Sequence, residues 1–215
     1  MENEMEFEGY SCPIPIQPTD TIVLGHGSGG SLSHDLVSRL FLPEMGKAAP
    51  RALDDSATFM IGMEKVALTT DSHVVSPLFF PGGDIGKLAV CGTVNDLAMV
   101  GAEPIAFTSG FIIEEGLSFD ILKRVVASMR EAAVEAGVFL AAGDTKVVQK
   151  GNADKLFINT AGLGRVKPGI EISGTNAREG DVLILSGPIG DHGITVLSAR
   201  EGLDFETYQR VTARA

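Results

Sequence analysis

Cysteine is scarce in this chain: two residues, Cys12 and Cys91, stand far apart. They form neither a disulfide framework nor a zinc-ligand spacing. Basic residues are few as well, 17 Lys and Arg against 28 Asp and Glu, for a net charge of −11. The clustered positive face that nucleic-acid binding requires is missing. No apolar run approaches the roughly 18 residues of a membrane helix. The N-terminus, MENEMEFEGY, is acidic where a secretory signal is basic. These absences argue against nucleic-acid and membrane partners and leave a cytoplasmic enzyme as the expectation. With 44% hydrophobic residues in 215, the chain can bury a sizeable core.

Carboxylates in apolar surroundings are what the sequence has instead. Five segments carry them: Leu53-Asp54-Asp55, Thr69-Thr70-Asp71, Asn95-Asp96-Leu97, Gly143-Asp144-Thr145-Lys146 and Gly190-Asp191-His192. An unpaired buried charge costs several kcal/mol, and Lys146 is one of few cations within these segments. Magnesium held between carboxylates and nucleotide phosphates answers the need, since Mg²⁺ binds through a few carboxylates plus substrate oxygens. Taken singly, each motif has a bland reading. Asp54-Asp55 suits a turn or helix cap, and Asn95-Asp96 suits a hydrogen-bonded pair within a helix. Asp71 and Asp144 each end an apolar strand, where ligand-facing residues concentrate. Lys146 beside Asp144 suits phosphate binding. The co-occurrence points to an ATP-type site.

The chain organises into an arm (1–20), a main domain (21–165), and a linker with the incomplete start of a second domain (166–215). Strands are expected at Thr21–Leu24, Ala57–Ile61, Val66–Asp71, Ala106–Ile113, Phe139–Ala142, Leu156–Leu163 and Val182–Ser186. Helices are expected at Ser31–Phe41, at Ile85–Val100 after Asp84, and at Phe119–Ala136 between Ser118 and Gly137. This order predicts a mixed α/β (α+β) fold with one mixed sheet and flanking helices. The strands at 66–71, 106–113, 139–142 and 156–163 belong to that sheet. A sheet placing Asp71 and Asp144 on opposite faces would break both the fold and the site. About 35 residues follow Gly180, too few to fold alone, so a longer protein is expected.

Gly25-His26-Gly27-Ser28-Gly29-Gly30 matches G-x-G-x-x-G between strand and helix. The acidic residue that should end the following strand is absent, because Asp54 and Asp55 precede one. A glycine-rich flap over phosphates is the preferred reading, with a structural turn as the alternative. His26 and His34 read as loop or helix-surface histidines.

The D-D, T-T-D, N-D and G-D-T pattern resembles the superfamily of aminoimidazole ribonucleotide synthetases, thiamine monophosphate kinases and selenophosphate synthetases. Segments such as HGSGG, DSHVVSPLFFPGGDIGKLAVCGTVNDLAMVGAEP, GFIIEEGL, GDTKVVQKGNADKLFINTAGLG and LSGPIGDHG are similar to its hydrogenase-maturation branch, from residue 21 to the end. The resemblance implies an ATP-dependent carbamoyl dehydratase that turns a protein-bound thiocarboxamide into thiocyanate. The product supplies cyanide to the iron of [NiFe]-hydrogenase. It implies ATP and Mg²⁺ as cofactors, a homodimer through the main domain's sheet, a partner carbamoyltransferase and iron-centre assembly scaffold proteins. Carried over by residue, Asp54, Asp55, Asp71, Asp96 and Asp144 are the metal set. Gly27, Ser28, Gly29, Gly30, Asn95, Thr145 and Lys146 bind the nucleotide. Lys146, Asp144 and Asp71 are the catalytic group, with the choice between Lys146 and His26 as base left open. The branch's C-terminal cysteine is absent before Ala215, and neither Cys12 nor Cys91 is placed to substitute. A different kinase or synthetase of the superfamily and a non-catalytic maturation scaffold are the alternatives.

Overall fold

The computed structural model describes residues 21–48, 53–185 and 187–202. The expected arm, residues 1–20, lies outside them. Two compact units divide the chain, Met1–Arg51 and Ala52–Ala215.

In the first unit the sequence predicts a strand at Thr21–Leu24, and a single 3₁₀ turn at Leu24–Gly27 stands there instead. The cause is local. His26 Nδ1 accepts from the Val23 N–H at 3.0 Å, satisfying in a turn a donor that a strand would offer to a neighbour. Helix α1 (Ser31–Leu36) passes through a π turn (Val37–Phe41) into α2 (Leu42–Met45). The helical segment therefore outruns its predicted end at Phe41.

The second unit opens with strands β1 (Ala57–Ile61) and β2 (Glu64–His73), followed by the small pair β3 (Phe79–Phe80) and β4 (Gly83–Asp84). Helix α3 (Ile85–Met99), β5 (Ala102–Glu114), α4 (Phe119–Ala136), β6 (Phe139–Val148) and β7 (Leu156–Val166) complete the body, and α5 (Asp191–Glu201) comes last. The main sheet has the order β1-β2-β7-β5-β6. Its neighbours are antiparallel except β5 and β6, which run parallel. The four strands expected in one sheet all join it.

Burial alternates along β7: Leu156, Ile158, Thr160, Gly162, Gly164 and Val166 are buried, and the residues between them are not. Over β2, β7 and β5 one face of the sheet is thus covered by helix and the other is open, while the edge strands β1 and β6 are exposed along most of their length. On the covered side Ile85, Val90, Val94, Phe107, Val125, Met129, Leu156 and Ile158 form the core. Each large aliphatic side chain fully buried there contributes about 1.5–3 kcal/mol. Helix α3 starts where predicted because the Asp84 side chain accepts from the Gly86 and Lys87 N–H groups. Ser118 caps α4 in the same way, and Gly137, at φ +69°, ends it.

The structure also departs from expectation at β6 and beyond β7. Strand β6 continues to Val148 rather than stopping at Ala142, since its residues pair with β5 as far as Glu114. The strand expected at Val182–Ser186 is absent over residues 182–185, and Ser186 lies outside the described residues. Helix α5 has no counterpart in the sequence reading, and it packs on the main body. Val196 joins the core, the His192 ring meets Phe80 edge-on at 5.8 Å, and Arg200 donates to the Ser76 carbonyl. The expected boundary after residue 165 therefore does not separate two compact units.

Candidate nucleotide and metal site

Strand β2 places Thr69, Asp71 and His73 on its covered face, two residues apart. Across from them α3 brings Asp96, and the turn before β1 brings Asp55. Thr69 Oγ1 shares its proton between the Asp55 carbonyl at 2.9 Å and Asp96 Oδ2 at 3.0 Å. Ser56 Oγ donates to the Asp96 carbonyl at 2.8 Å, pinning the turn to the helix. Burial pushes the Asp96 carboxyl up to about 6; the Thr69 hydrogen bond opposes this, and the charges of Asp71 and Asp55 add to it. Asp55 and Asp71 are therefore each close enough to repel Asp96. Among the described residues, neither Asp55 nor Asp96 forms an ion pair.

Asp71 is braced differently. Its Oδ2 lies 3.5 Å from Nε2 of His73, which is buried. Burial holds the His73 imidazole below its usual range, with the Asp71 charge working against that. Behind it a polar chain runs into the core through the Thr160 and Thr93 hydroxyls. Sequence reasoning missed Thr69, His73, Thr93 and Thr160. The signal for His73 was available, since it follows Asp71 by the two-residue step that keeps a strand's side chains on one face.

Two of the expected metal ligands lie elsewhere. Asp54 accepts from Ser173 Oγ at 2.7 Å and from the Gly174 N–H at 3.1 Å, so it clamps the turn at Gly174–Asn176. Asp144 receives Lys146 Nζ on both oxygens, at 2.9 and 2.7 Å, and the pair is exposed. Lys146 and the Thr145 N–H hold its carboxyl below the ordinary range.

Register shows that Asp144 faces away. Asp71 pairs with Thr160, Thr160 with Ser109 and Ser109 with Gly143, so Gly143 shares the face of Asp71. Asp144 pairs with Gly110 on the open face, three strands from Asp71, about 14 Å at the usual strand spacing. The expectation that both carboxylates share a face is thus wrong. A bulge is the physical reason: Leu140 pairs with Phe107 but Ala142 with Thr108, leaving Ala141 unmatched. Without that extra residue Asp144 would oppose Phe111, on the covered face. The fold stands all the same, with the predicted strands in one sheet. What falls is a five-carboxylate cage within one protomer.

Asn95 precedes Asp96 on α3, half-buried. In the first unit Ser28 Oγ donates to the Gly25 carbonyl at 2.8 Å and the Gly29 N–H donates to Ser33 Oγ at 2.9 Å. Gly29 holds φ +76°, a conformation that favours glycine. Gly27 and Gly30 complete this turn before α1.

Among the described residues no three His, Cys, Asp or Glu side chains are grouped tightly enough to hold a metal ion by themselves. Mg²⁺ does not need that, because it keeps waters and takes phosphate oxygens beside one or two carboxylates. A half-buried Asp96 repelled by Asp71 and Asp55, with no ion pair among the described residues, fits such an ion arriving with a nucleotide.

Crowded carboxylates on the helix-covered side of a mixed sheet set the frame for comparison with known proteins. The chain belongs to the AIR synthase related family, matching its N-terminal domain over residues 53–166. Within that family it is similar to the carbamoyl dehydratase HypE of Azotobacter vinelandii, with 52% identity over 186 residues, 86% of this chain and 54% of that protein. It is similar to the crystal structure of hydrogenase maturation protein HypE in complex with ATP, at TM-score 0.68 and 51% identity, covering 90% of this chain and 58% of that one. The crystal structure of the HypE–HypF complex matches at TM-score 0.74 and 53% identity, over 80% and 56%. The chain spans about half the length of the curated relatives it matches. No helix among the described residues is long and apolar enough to cross a membrane.

Proposed function

We propose that this chain carries the nucleotide-binding part of an ATP-dependent carbamoyl dehydratase acting in hydrogenase maturation. The observation that carries the reading is the crowding of Asp55 and Asp71 around Asp96, which has no ion pair among the described residues, on a chain half identical to carbamoyl dehydratases. In the reaction, the oxygen of a cysteine-bound thiocarboxamide attacks the γ-phosphorus of ATP, ADP leaves, and one N–H proton is lost to give an O-phosphorylated imidate. A base then takes the remaining N–H proton, the C–O bond breaks, phosphate departs and the thiocyanate remains. Phosphorylation turns a poor leaving group into a good one. Bound Mg²⁺ would neutralise phosphate charge, with Asp71 and Asp96 as its protein ligands and Asp55 supporting. Asn95 would contact the nucleotide; the glycine turn at Gly27–Gly30 is by itself a candidate phosphate-binding turn of the first unit.

Lys146, Asp144 and Thr145 enter this reading through a second copy of the chain. On the open face Phe59, Ile61, Leu68, Leu163 and Ile112 are exposed, and Ile112 stands opposite Lys146. A homodimer burying this face would bring both charged residues into the interface. The run Val74–Phe80 contributes less to such a surface than its sequence suggests, since Val75, Leu78 and Phe80 enter the core. A partner carbamoyltransferase and iron-centre scaffold proteins follow from the same reading, as does action in the cytoplasm. A second reading, another ATP-dependent kinase or synthetase, is favoured by one fact: Lys146, the candidate base, is not beside the carboxylates within a protomer. Phosphate release that requires a carbamoylated protein thiol supports the dehydratase, and release driven by a small-molecule acceptor supports the alternative. Sedimentation showing a monomer at micromolar concentration would remove the dimer.

A further inference from the structure

The polar chain behind Asp71 can be followed proton by proton. Thr93 Oγ1 donates to the Ala89 carbonyl of its own helix at 2.9 Å, which uses its hydrogen. At the 2.6 Å contact between Thr93 Oγ1 and Thr160 Oγ1, Thr160 must therefore be the donor. A weaker alternative for that hydrogen, the Asp71 carbonyl, lies at 3.4 Å. With its one hydrogen directed to Thr93, Thr160 can only accept from His73 Nε2 at 3.3 Å. His73 Nε2 thus carries the hydrogen, and the same nitrogen lies 3.5 Å from Asp71 Oδ2.

We propose that His73, set as its Nε2–H tautomer by Thr160 and Thr93, is the positioning residue that aims the Asp71 carboxylate at the metal-nucleotide site. The inference rests on the reading of Asp71 as a Mg²⁺ carboxylate. Packing supports it independently. A side chain at Gly92 of α3 would come within 3.0 Å of Asp71 Oδ2 and 3.1 Å of His73 Cε1, so the helix leaves room for this pair and for little else. His73 and Thr160 are buried, so the ring has few other positions. Asp96 and Asp71 repel each other. A neutral donor behind Asp71 offsets that repulsion while leaving its charge for the cation. Such outer partners of ligating groups typically change metal affinity about 10–100-fold when removed.

The test has two arms. Nitrogen-15 NMR of histidine-labelled protein should find the His73 Nε2 protonated and Nδ1 bare, and Thr160→Val should perturb that signal. Calorimetry of nucleotide binding against Mg²⁺ concentration should show His73→Leu needing about tenfold more Mg²⁺. His73→Gln, which restores a donor, should recover most of the loss. Asp71→Asn is the reference. If Asp71→Asn weakens Mg²⁺-dependent binding while His73→Leu and His73→Gln both match wild type, the positioning role is overturned and the site reading stands. If Asp71→Asn changes nothing, the site reading fails and this inference with it. Should His73→Leu not fold, the wild-type tautomer and His73→Gln decide: a bare Nε2 overturns the proposal.

Discussion

Asp96 and Asp144 are the same residue type in the same sheet-and-helix body, and their surroundings push them in opposite directions. Asp96 sits on α3 against the covered face, where burial and two neighbouring carboxylates raise its carboxyl to about 6. Asp144 sits on the open face, where Lys146 grips both oxygens and lowers it. The first is an unmet demand for positive charge, and the second is a demand already met in solvent. A sequence motif of acidic residues therefore does not locate a cation site; lack of compensation does.

The largest expected effect lies on the covered side. Asp71→Asn should weaken Mg²⁺-dependent ATP binding at least about 100-fold, the upper range for loss of metal-site groups. Binding without Mg²⁺ should change little. Calorimetry with and without the ion separates these terms. An Asp144→Asn protein with the same loss would instead erase the contrast between the two faces and return Asp144 to the metal.

Packing gives the next contrast. On β7, Gly162 points under α3, where a side chain would stand 2.5 Å from Thr93 Cγ2 and 3.0 Å from Leu97 Cδ1. Its neighbour Leu163 is 39% exposed on the open face. Gly162→Ala should cost about 1–3 kcal/mol, as overpacking does, read as a shift in the urea midpoint. Leu163→Ala should leave the midpoint of a monomeric species nearly unchanged and weaken self-association.

Much of this architecture was legible in the sequence, for identifiable reasons. The stripe Ile121, Leu122, Val125 and Met129, bounded by Ser118 and Gly137, is a local signal, and α4 occupies Phe119–Ala136 as predicted. The clustering of Asp55, Asp71 and Asp96 was legible as motif. The face of Asp144 was not. It depends on one unmatched residue, Ala141, at a parallel junction between strands far apart in sequence. A one-residue shift inverts every side chain after it, and nothing in FLAAGDTK announces the bulge. Asp54 was missed for a similar reason, since its partner at Ser173 is 119 residues away.

The pH dependence of the metal-free protein gives a smaller effect with a definite sign. Asp96 in the folded state titrates near 6, above its unfolded value of 3.8. Between those values the folded protein holds a proton that the unfolded chain has released. Stability therefore falls as pH rises through that window, and the deficit is complete above it. Asp96→Asn should be more stable than wild type at pH 7, and the two should converge toward pH 3. Adding Mg²⁺ and nucleotide should reverse the ranking at pH 7. Denaturation midpoints across pH 3–8 check this, and a wild type that gains stability between pH 4 and 6 relative to Asp96→Asn would contradict it.

The smallest effect on the fold belongs to Lys146. Its ion pair with Asp144 is exposed on both sides, so high dielectric and side-chain entropy leave it little net stabilisation. Lys146→Ala should leave the Tm unchanged, while Asp144, freed of the ammonium, titrates higher than before. Function should respond differently if a second copy covers the open face. There Lys146→Ala would lower kcat more than it changes nucleotide affinity, the pattern of losing a group engaged in the transition state. Diluting the protein below its dimerisation range should then abolish the difference between Lys146→Ala and wild type, because neither would have Lys146 in place. Unchanged kcat in the dimer would take Lys146 out of the chemistry. A drop in Tm, by contrast, would mean that the face bearing the pair is packed already and that the two faces are less different than their exposure says.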